Sequence, residues 1–552
     1  MTTMLDVMMD FFDKEIENQL EVLRDIRTRR NEHAPISRLP PEILSRIFVI
    51  CTSNWDHSSD QLRRQPHRYL WVKVTHVCRR WRTVALDCTS LWSYIPLNIP
   101  GSWISEMLVR SRELSLSVDA SREGTRDYDF NTVFGHLHRL RSFKASNLIW
   151  QSSPTLLEKR KMPCLEELSV FFPSRHYTVS YPQLRGLKVP LLRTLSLENC
   201  LVPGNSSVLK SHNLAQLTIN PTGRYFKYTQ FLDIVQHTPQ LQHLAFSQNL
   251  DGTSIMDLPS HQRVVKLPQL AALHIKSGGD FCAAVLNQLA FPKSASIQTI
   301  SPTVQALLPI IAAQCNFSLG GTAIRALYAQ STRTPNGHPA TRVATQPVHP
   351  GGPGGNETNF GICVMWTTSD EHSPIGCTPA FIELLRSLDL SLLTELHVHG
   401  LESLHKHDWL EVGRLLSKVT TIKMSTTTLA LVAALGERTA VFDRGAHNLQ
   451  YRPRFCPRLR RLSLEGVDFE EQLEQDRWFS EVLHDNLSRR KGFGTQVEVL
   501  DITNCHMVSE DDIRLFEGSV GNVTWDGVDV SLEDRGSDAE SSDHDGGRSV
   551  DG

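Results

Sequence analysis

The densest group of residues able to bind a metal ion or move a proton lies in the C-terminal half of the chain. Four histidines and one aspartate fall within twelve residues: His397, His399, His405, His407 and Asp408. Imidazole and carboxylate groups at such spacings can ligate zinc. His397 falls at a strand position that the surrounding pattern leaves exposed anyway. We therefore interpret the group as surface histidines, and an enzyme built on them is the minor alternative.

No other motif for catalysis stands out. The sequence has no phosphate-binding loop, no dinucleotide-binding glycine motif, no HExxH and no GxSxG. Cys78 and Cys88 are possible nucleophiles, but Cys78 falls on an apolar helical stripe, which favours a buried and unreactive thiol. The sequence therefore predicts no catalytic residue, no metal site and no cofactor, and we expect a protein that is not an enzyme.

Composition narrows the class of partner. The 552 residues exceed the ~250–300 at which single cores stop growing, so more than one structural unit is expected. A net charge of −3 and a pI near 6.8 give no reason to expect a nucleic-acid partner. No apolar run approaches the ~18–20 residues that span a bilayer, so no membrane partner is expected. Scattered cysteines and an acidic N-terminus indicate an intracellular protein, in the cytoplasm, the nucleus or both.

Residues 1–34 predict an amphipathic helix. Apolar side chains recur at i, i+4, i+8 and i+11, at Phe12, Ile16, Leu20 and Leu23, and charged residues fill the other faces. Two interpretations stay open. The helix self-associates as a short coiled coil, or it docks on its own chain or frays, since the pattern is shorter than the ~3–4 heptads typical of coiled coils.

Two further helical patterns follow within residues 35–97. The first begins at Leu39 as LPPEILSRIF, where the prolines suit a helix start and apolar residues then recur at i, i+4. The second begins at Trp71 as WVKVTHVCRRWRTVA and places apolar residues at i, i+3, i+4 and i+7. The polar residues 52–67 between them are interpreted as a loop.

Together these segments resemble the F-box, in the form found in F-box-like proteins abundant in mushroom-forming fungi. The resemblance covers roughly residues 36–95. It implies an all-α module that binds the Skp-family adaptor of a cullin–RING ubiquitin ligase, with other subunits carrying out ubiquitin transfer. The adaptor contacts that it implies are Leu39, Pro40, Pro41, Ile43, Leu44, Ile47 and Phe48 in the first segment and Val77, Cys78 and Trp81 in the second. The polar loop is longer than in a compact F-box.

Beyond residue 98 the hexamer apolar-x-x-apolar-x-apolar recurs. It appears as LEELSV, LRTLSL, LAQLTI, LQHLAF, LAALHI, LTELHV, VTTIKM, LRRLSL and VEVLDI, starting at Leu165, Leu192, Leu214, Leu241, Leu270, Leu393, Val419, Leu459 and Val497, with a weaker LRSFKA at Leu140. The first five start 27, 22, 27 and 29 residues apart, which resembles the ~20–29-residue period of leucine-rich repeats. Asn199–Cys200 and Asn504–Cys505 follow two copies, as in that family. Isolated strands of an ordinary α/β domain are the alternative.

The repeat predicts which side chains face a partner. Each hexamer should end in a short strand whose apolar side chains point inward and whose alternate residues point to solvent. We predict a target-binding face that includes Glu198, His243, His274, His397, Lys423, Arg461 and Asp501. This face is mixed and mildly polar, which suits recognition of a protein whose identity the sequence does not name.

The fold class expected is therefore α + α/β, a small all-α F-box-like module at 35–97 followed by an irregular leucine-rich-repeat solenoid at 98–530. Residues 331–358 are rich in Pro, Gly and Thr and are interpreted as a disordered insertion, and residues 531–552 as a disordered acidic tail. The function expected is that of a ligase substrate receptor. An adaptor-independent repeat scaffold, with the helical module as a cap, is the alternative.

Overall fold

Two compact units make up the described part of the protein, one formed by residues up to Leu214 and the other by residues from Ala215 on. The computed structural model describes residues 4–53, 72–121, 127–146, 157–171, 184, 186–199, 206–220, 227–248, 264–292, 294–311, 313, 324–333, 339–345, 362–367, 377–401, 403–443, 448–471 and 477–527. The predicted acidic tail at 531–552 lies outside these residues, as do most of the polar loop at 52–67 and part of the 331–358 segment.

The first unit begins with helices. They are α1 (Met4–Glu32), α2 (Pro41–Ser53), α3 (Arg79–Asp87), α4 (Gly101–Arg110) and α5 (Asp127–Phe134), with 3-10 turns at Pro35–Arg38 and Thr89–Trp92. Pro41 begins α2, because proline lacks the N–H that a first helical residue leaves unbonded. Two short strands interrupt this series, one between α3 and α4 and one between α4 and α5.

The strands of the first unit pair in parallel and in chain order. They are β1 (Tyr94–Pro96), β2 (Leu116–Ala120), β3 (Leu140–Ser146), β4 (Glu167–Phe171) and β5 (Thr194–Glu198). The register aligns the inward side chains, so that Leu168 of β4 lies opposite Leu195 of β5. Inward side chains on hydrogen-bonded strands therefore also lie next to each other in the core.

The second unit is built on a mixed sheet. Its strands are β6 (Gln216–Asn220), β7 (His243–Ser247), β9 (Ala272–Lys276), β11 (Ser296–Ser301), β12 (Ala326–Arg333), β13 (Pro339–Ala344), β14 (Ile362–Thr367), β15 (Glu395–His399), β16 (Thr421–Met424), β19 (Arg461–Glu465), β20 (Val499–Thr503) and β21 (Asn522–Trp525); β8 (Val265–Lys266) pairs with β10 (Leu289–Ala290), and β17 (Arg438–Asp443) with β18 (Asn448–Pro453), outside it. The sheet order is β6-β7-β9-β11-β14-β13-β12-β15-β16-β19-β20-β21. Pairing is parallel except where β13 runs antiparallel to both β12 and β14.

Helices follow most of the parallel strands of this unit. They are α6 (Tyr228–Gln236), α7 (Gly279–Gln288), α8 (Cys377–Ser387), α9 (Lys406–Leu415), α10 (Leu429–Leu435), α11 (Phe479–Gly492) and α12 (Glu510–Glu517). Their apolar faces are buried with the inward side chains of the strands. Phe246 of β7, for example, stacks on Phe281 of α7 with ring centroids 5.3 Å apart.

Each of the ten hexamers ends in a strand, and the predicted alternation of burial is confirmed in nine of them; in β3 the alternate residue Ser142 is buried as well. In β15, Leu396 and Val398 are buried while Glu395, His397 and His399 are half-buried. The first residue of the hexamer, Leu393 in this copy, is also buried. Three apolar side chains per copy therefore point into the core.

The residue after several of these strands adopts a left-handed backbone. Asn199, Gly400, Gly466 and Asn504 follow β5, β15, β19 and β20 directly and have φ of 54°, 62°, 63° and 48°. Asparagine and glycine are the residues that take this conformation at least cost. The Asn–Cys pairs of the sequence thus mark the turn at which the chain leaves the sheet.

The segment interpreted as a disordered insertion is partly folded. Residues 331–333 end β12 and residues 339–344 form β13, which fills the gap between β12 and β14. This strand was missed because ATRVA is short and is flanked by Pro and Gly, whose density dominates the composition. Its antiparallel pairing makes the sheet mixed, which differs from the regular parallel stacking expected of a solenoid.

Candidate protein-binding surfaces

The helical module between residues 36 and 97 is held together by an aromatic and aliphatic core. Phe48 of α2 packs against Trp81 of α3, with ring centroids 5.1 Å apart. Leu44 lies one turn earlier on α2 and is fully buried. Trp92 closes the core, and its indole N–H donates a 2.9 Å hydrogen bond to the carbonyl of Ala85.

Backbone contacts fix the start of both helices. The guanidinium of Arg80 donates to the carbonyl of Leu39, so α3 holds the residue that precedes the two prolines. Cys78 is the N-cap of α3, and its sulfur accepts from the N–H of Trp81 at 3.5 Å. Cys78 is thus half-buried in a structural position, whereas its place on the apolar stripe predicted a buried thiol.

The ten positions implied as adaptor contacts divide into three classes. Pro40, Pro41, Ile43, Ile47 and Val77 are exposed, Leu39, Cys78 and Trp81 are half-buried, and Leu44 and Phe48 are buried. Leu44 and Phe48 are only 0% and 1% exposed, so they belong to the core of the module and are unavailable to a partner in this conformation. An α-helix with two adjacent apolar stripes buries one of them, and the sequence alone did not say which.

The other stripe of α2 is an exposed apolar face. Ile43, Ile47 and Ile50 recur at i, i+4 and i+7, and their side chains are 44%, 37% and 48% exposed. Ile50 was not among the predicted contacts, although the helical period of the sequence could have identified it. Ile36 and Val77 add exposed apolar side chains to the same module. Exposed aliphatic side chains in a group of this kind mark interaction surfaces.

The outward side chains of the strands form the second surface. In the second unit, in-register pairing brings His397 of β15 beside Lys423 of β16. Arg461 of β19 lies 3.4 Å from Asp501 of β20. His243 and His274 lie on β7 and β9 of the same unit, whereas Glu198 lies on β5 of the first unit, where it accepts from Ser196 at 3.2 Å. All seven predicted positions are exposed or half-buried.

One aromatic residue of this surface was missed. Tyr328 of β12 stacks on His397, with ring centroids 4.1 Å apart, and His397 Nε2 lies 3.4 Å from Glu395 Oε2. Burial, with a further contribution from Glu395, raises the pKa of Tyr328. The missed strand carries the hexamer IRALYA at Ile324. It has alanine in its last apolar position, so it was not recognised as a copy of the repeat.

The histidines of the 397–408 group make separate contacts. His405 lies at the N-terminus of α9, where its backbone N–H donates to the carboxylate of Asp408 at 2.8 Å. His407 Nε2 lies 3.0 Å from the same carboxylate. His397 contacts Tyr328 and Glu395. Across the described ranges, no three His, Cys, Asp or Glu side chains are grouped in a way that could hold a metal ion. Within those same ranges no helix is long and apolar enough to cross a bilayer.

Two half-buried histidines make stability depend on pH. Burial, and to a smaller extent Lys276, lowers the pKa of His274. Burial also lowers the pKa of His397. Lys423 acts in the same direction, and Glu395 acts in the opposite direction. The folded state then binds fewer protons than the unfolded chain, so this contribution to stability is present above the unfolded pKa of about 6.5 and is lost as pH falls.

We expect calorimetric melting of the second unit to shift to lower temperature between about pH 7.5 and about pH 5.5. The double variant His274→Gln/His397→Gln should lose part of that dependence, and the exposed His243→Gln control should keep it. An equal pH dependence in all three proteins would contradict the role given to the two histidines.

Comparison with known proteins identifies one region. Residues 36–97 match the family model of the F-box-like domain. No curated protein matches the chain. The matched residues coincide with the module of α2 and α3 and with its exposed aliphatic face. The chain therefore contains an F-box-like domain at residues 36–97, followed by a mixed, sheet-rich region.

Proposed function

We propose that this protein is the substrate receptor of a cullin–RING ubiquitin ligase. F-box domains generally bind Skp-family adaptors, and the adaptor links them to the cullin. The receptor supplies no catalytic group of its own. It raises the effective concentration of the target near the ubiquitin donor by holding both in one assembly.

The observation that carries the proposal is the exposed aliphatic face of α2. Ile43, Ile47 and Ile50 occupy one helical face within the matched residues, and the adjacent face of α2, with Leu44 and Phe48, is already buried in the core of the module. Interface cores rely on a few apolar anchors of this kind. We assign the adaptor-binding surface to this face, together with Pro40, Pro41 and Val77.

We further propose that the sheet-rich region is an irregular leucine-rich-repeat array. Its support is the repeated hexamer, the parallel pairing of its copies and the left-handed Asn or Gly after four of the strands. In the β20 copy the thiol of Cys505, one residue beyond that turn, donates to the carbonyls of Leu464 and Thr503 at 3.6 and 3.5 Å. A polar side chain bonding the backbone at this position is what stacked repeats need to satisfy their turns.

The target is assigned to the outward strand face. Tyr328, His397 and Lys423 present an aromatic ring, an imidazole and a cation side by side on neighbouring strands of the second unit. Tyrosine is among the side chains enriched at protein interfaces. The assignment implies an intracellular protein, because the adaptor and its ligase act inside the cell.

The adaptor interface is tested by co-expression with a Skp-family adaptor and pull-down. We expect the wild-type chain to form a complex and the Ile43→Asp/Ile47→Asp variant to bind at least ~100-fold more weakly, since two apolar anchors would become buried charges. Val109→Asp is the matched control, because Val109 is 71% exposed on α4 of the same unit and lies outside the matched residues. This control should bind like the wild type.

Two results would count against the proposal. Full binding by the Ile43→Asp/Ile47→Asp variant would show that the adaptor does not bind this face of α2. A well-folded wild-type chain that forms no complex would favour the second candidate function, an adaptor-independent repeat scaffold in which the helical module caps the sheet region.

A further inference from the structure

Helix α1 exposes a long apolar stripe. It runs from Met4 to Glu32, which is 29 residues and about 43 Å at the usual helical rise. Its large apolar side chains stay exposed, with exposed fractions of 52% for Phe12, 57% for Ile16, 48% for Leu23 and 57% for Ile26. Apolar side chains exposed to this extent along one helix are unusual and point to an interaction site.

The stripe follows a heptad. Met9, Ile16 and Leu23 recur every seven residues, and Phe12 and Ile26 lie three residues after the first and third of them. These are the a and d positions of a coiled coil, and Gln19 fills the remaining d position. The a and d residues from Met9 to Ile26 span about two and a half heptads, within a folded helix of 29 residues.

The charges of α1 are divided along its length. From Met4 to Glu21 there are six acidic residues and one lysine, and from Val22 to Glu32 there are four arginines and two acidic residues. Two parallel copies would place the acidic halves side by side. Two antiparallel copies place each acidic half beside the basic half of the other, which lowers the electrostatic energy of the pair.

The antiparallel arrangement also pairs the a and d residues of one copy with those of the other. With the two-fold axis between residues 17 and 18, Met9 lies in one layer with Ile26 of the second copy and Phe12 in one layer with Leu23 of the second copy. Ile16 then meets Gln19 of the second copy, so both glutamines lie beside the axis. A polar residue at one core position fixes register and partner number in this way.

We infer that α1 associates with α1 of a second copy of this chain as an antiparallel coiled coil, making the protein a homodimer. The inference does not rest on the proposed ligase function, because α1 precedes the matched F-box-like residues. A dimer joined in this way would carry two sheet-rich regions and bind a target bearing two sites more tightly than a single chain.

The mass of the full chain in solution tests the association. Light scattering during gel filtration should give twice the 62.3 kDa of one chain for the wild type and 62.3 kDa for Ile16→Asp/Leu23→Asp. The Ile43→Asp/Ile47→Asp variant changes a different apolar face and should stay dimeric. A monomeric wild type at concentrations up to about 0.1 mM, or a dimeric Ile16→Asp/Leu23→Asp variant, would overturn the inference.

Orientation is tested at Val22, which occupies a flanking g position. In the antiparallel pair it faces Glu15 of the other copy, whereas in a parallel pair it would face Arg27 of the other copy. Val22→Lys should therefore dimerise roughly tenfold more tightly than Val22→Glu, and salt should narrow the gap. The opposite order, or equal affinity of the two variants, would overturn the antiparallel arrangement.

Discussion

Replacing Phe48 with alanine is expected to unfold the pairing of α2 and α3 while leaving the sheet-rich region folded. Phe48 is 1% exposed and packs against Trp81 at 5.1 Å. Truncating a buried phenylalanine typically costs about 3–5 kcal/mol, because the lost contacts leave a cavity. That loss is comparable with the whole stability of a small helical module.

Ile47→Ala is the matched control for this prediction. Ile47 is the neighbour of Phe48 on α2 but is 37% exposed, so its truncation should change stability by about 1 kcal/mol or less. Hydrogen exchange of the full chain, read on peptides from α2 and α3, should show faster exchange only for Phe48→Ala. Adaptor binding should fall in both variants, for different reasons. Unchanged protection in Phe48→Ala would show that the core assignment is wrong.

The contrast between Phe48 and Ile47 also shows what sequence analysis can resolve in a short helix. Helical period predicts that Ile43 and Ile47 share one face and that Leu44 and Phe48 share the next. Which face is buried depends on Trp81 and Trp92, which reach α2 from a segment about 30 to 50 residues later. That tertiary contact has no signature within α2, so the predicted contacts mixed core and surface.

In the sheet-rich region the sequence was more informative. The spacing of the first, fourth and sixth hexamer residues determines both the strand and its buried face, because alternation along a strand needs no tertiary information. Several strands lie outside the hexamer copies, and β12 and β13 show why they were not predicted. Ala329 is too small to register as an apolar anchor, and Arg342 of β13 is a half-buried outward residue in a segment dominated by Pro and Gly. Local composition predicted disorder, and pairing with β12 and β14 outweighed it.

Buried cations were also beyond the reach of pattern analysis. Arg490 of α11 is fully buried and donates to three carbonyls, those of Leu435, Phe455 and Cys456, at 3.2, 3.0 and 2.9 Å. Leu435 is the last residue of α10, so the cation lies at the negative end of that helix. The sequence reads simply as Arg–Arg–Lys near a helix end, where such residues are usually exposed.

The contact also supports a strained turn. Cys456 has a φ of 41°, a left-handed conformation that a non-glycine residue adopts at some cost. Arg490 donates to the carbonyls of Phe455 and Cys456, which flank the Cα of Cys456, and so holds the turn before β19. Burial lowers the pKa of Arg490 to about 10, which leaves the guanidinium charged at neutral pH. The Cys456 thiol is buried, which raises its pKa to about 12 and keeps it protonated.

Arg490→Met should therefore destabilise the second unit by about 3 kcal/mol, because three buried carbonyls lose their donor and the turn loses its support. Arg490→Lys should cost less but not nothing, since a single ammonium cannot match the fork of a guanidinium. Arg489→Met changes the exposed neighbour on the same helix and should be close to neutral.

Calorimetry of the full chain and hydrogen exchange of α10 and of the turn before β19 would measure these effects. If Arg490→Met and Arg489→Met melt at the same temperature, the carbonyls find other hydrogen-bond donors and the buried cation is not needed for stability. If it melts lower and exchange rises at both the α10 end and the turn, one side chain joins α10, α11 and β19. That contact would explain how a sheet with irregular repeat lengths keeps its helices in register, since it joins two helix ends and a strand entry independently of the hexamer pattern.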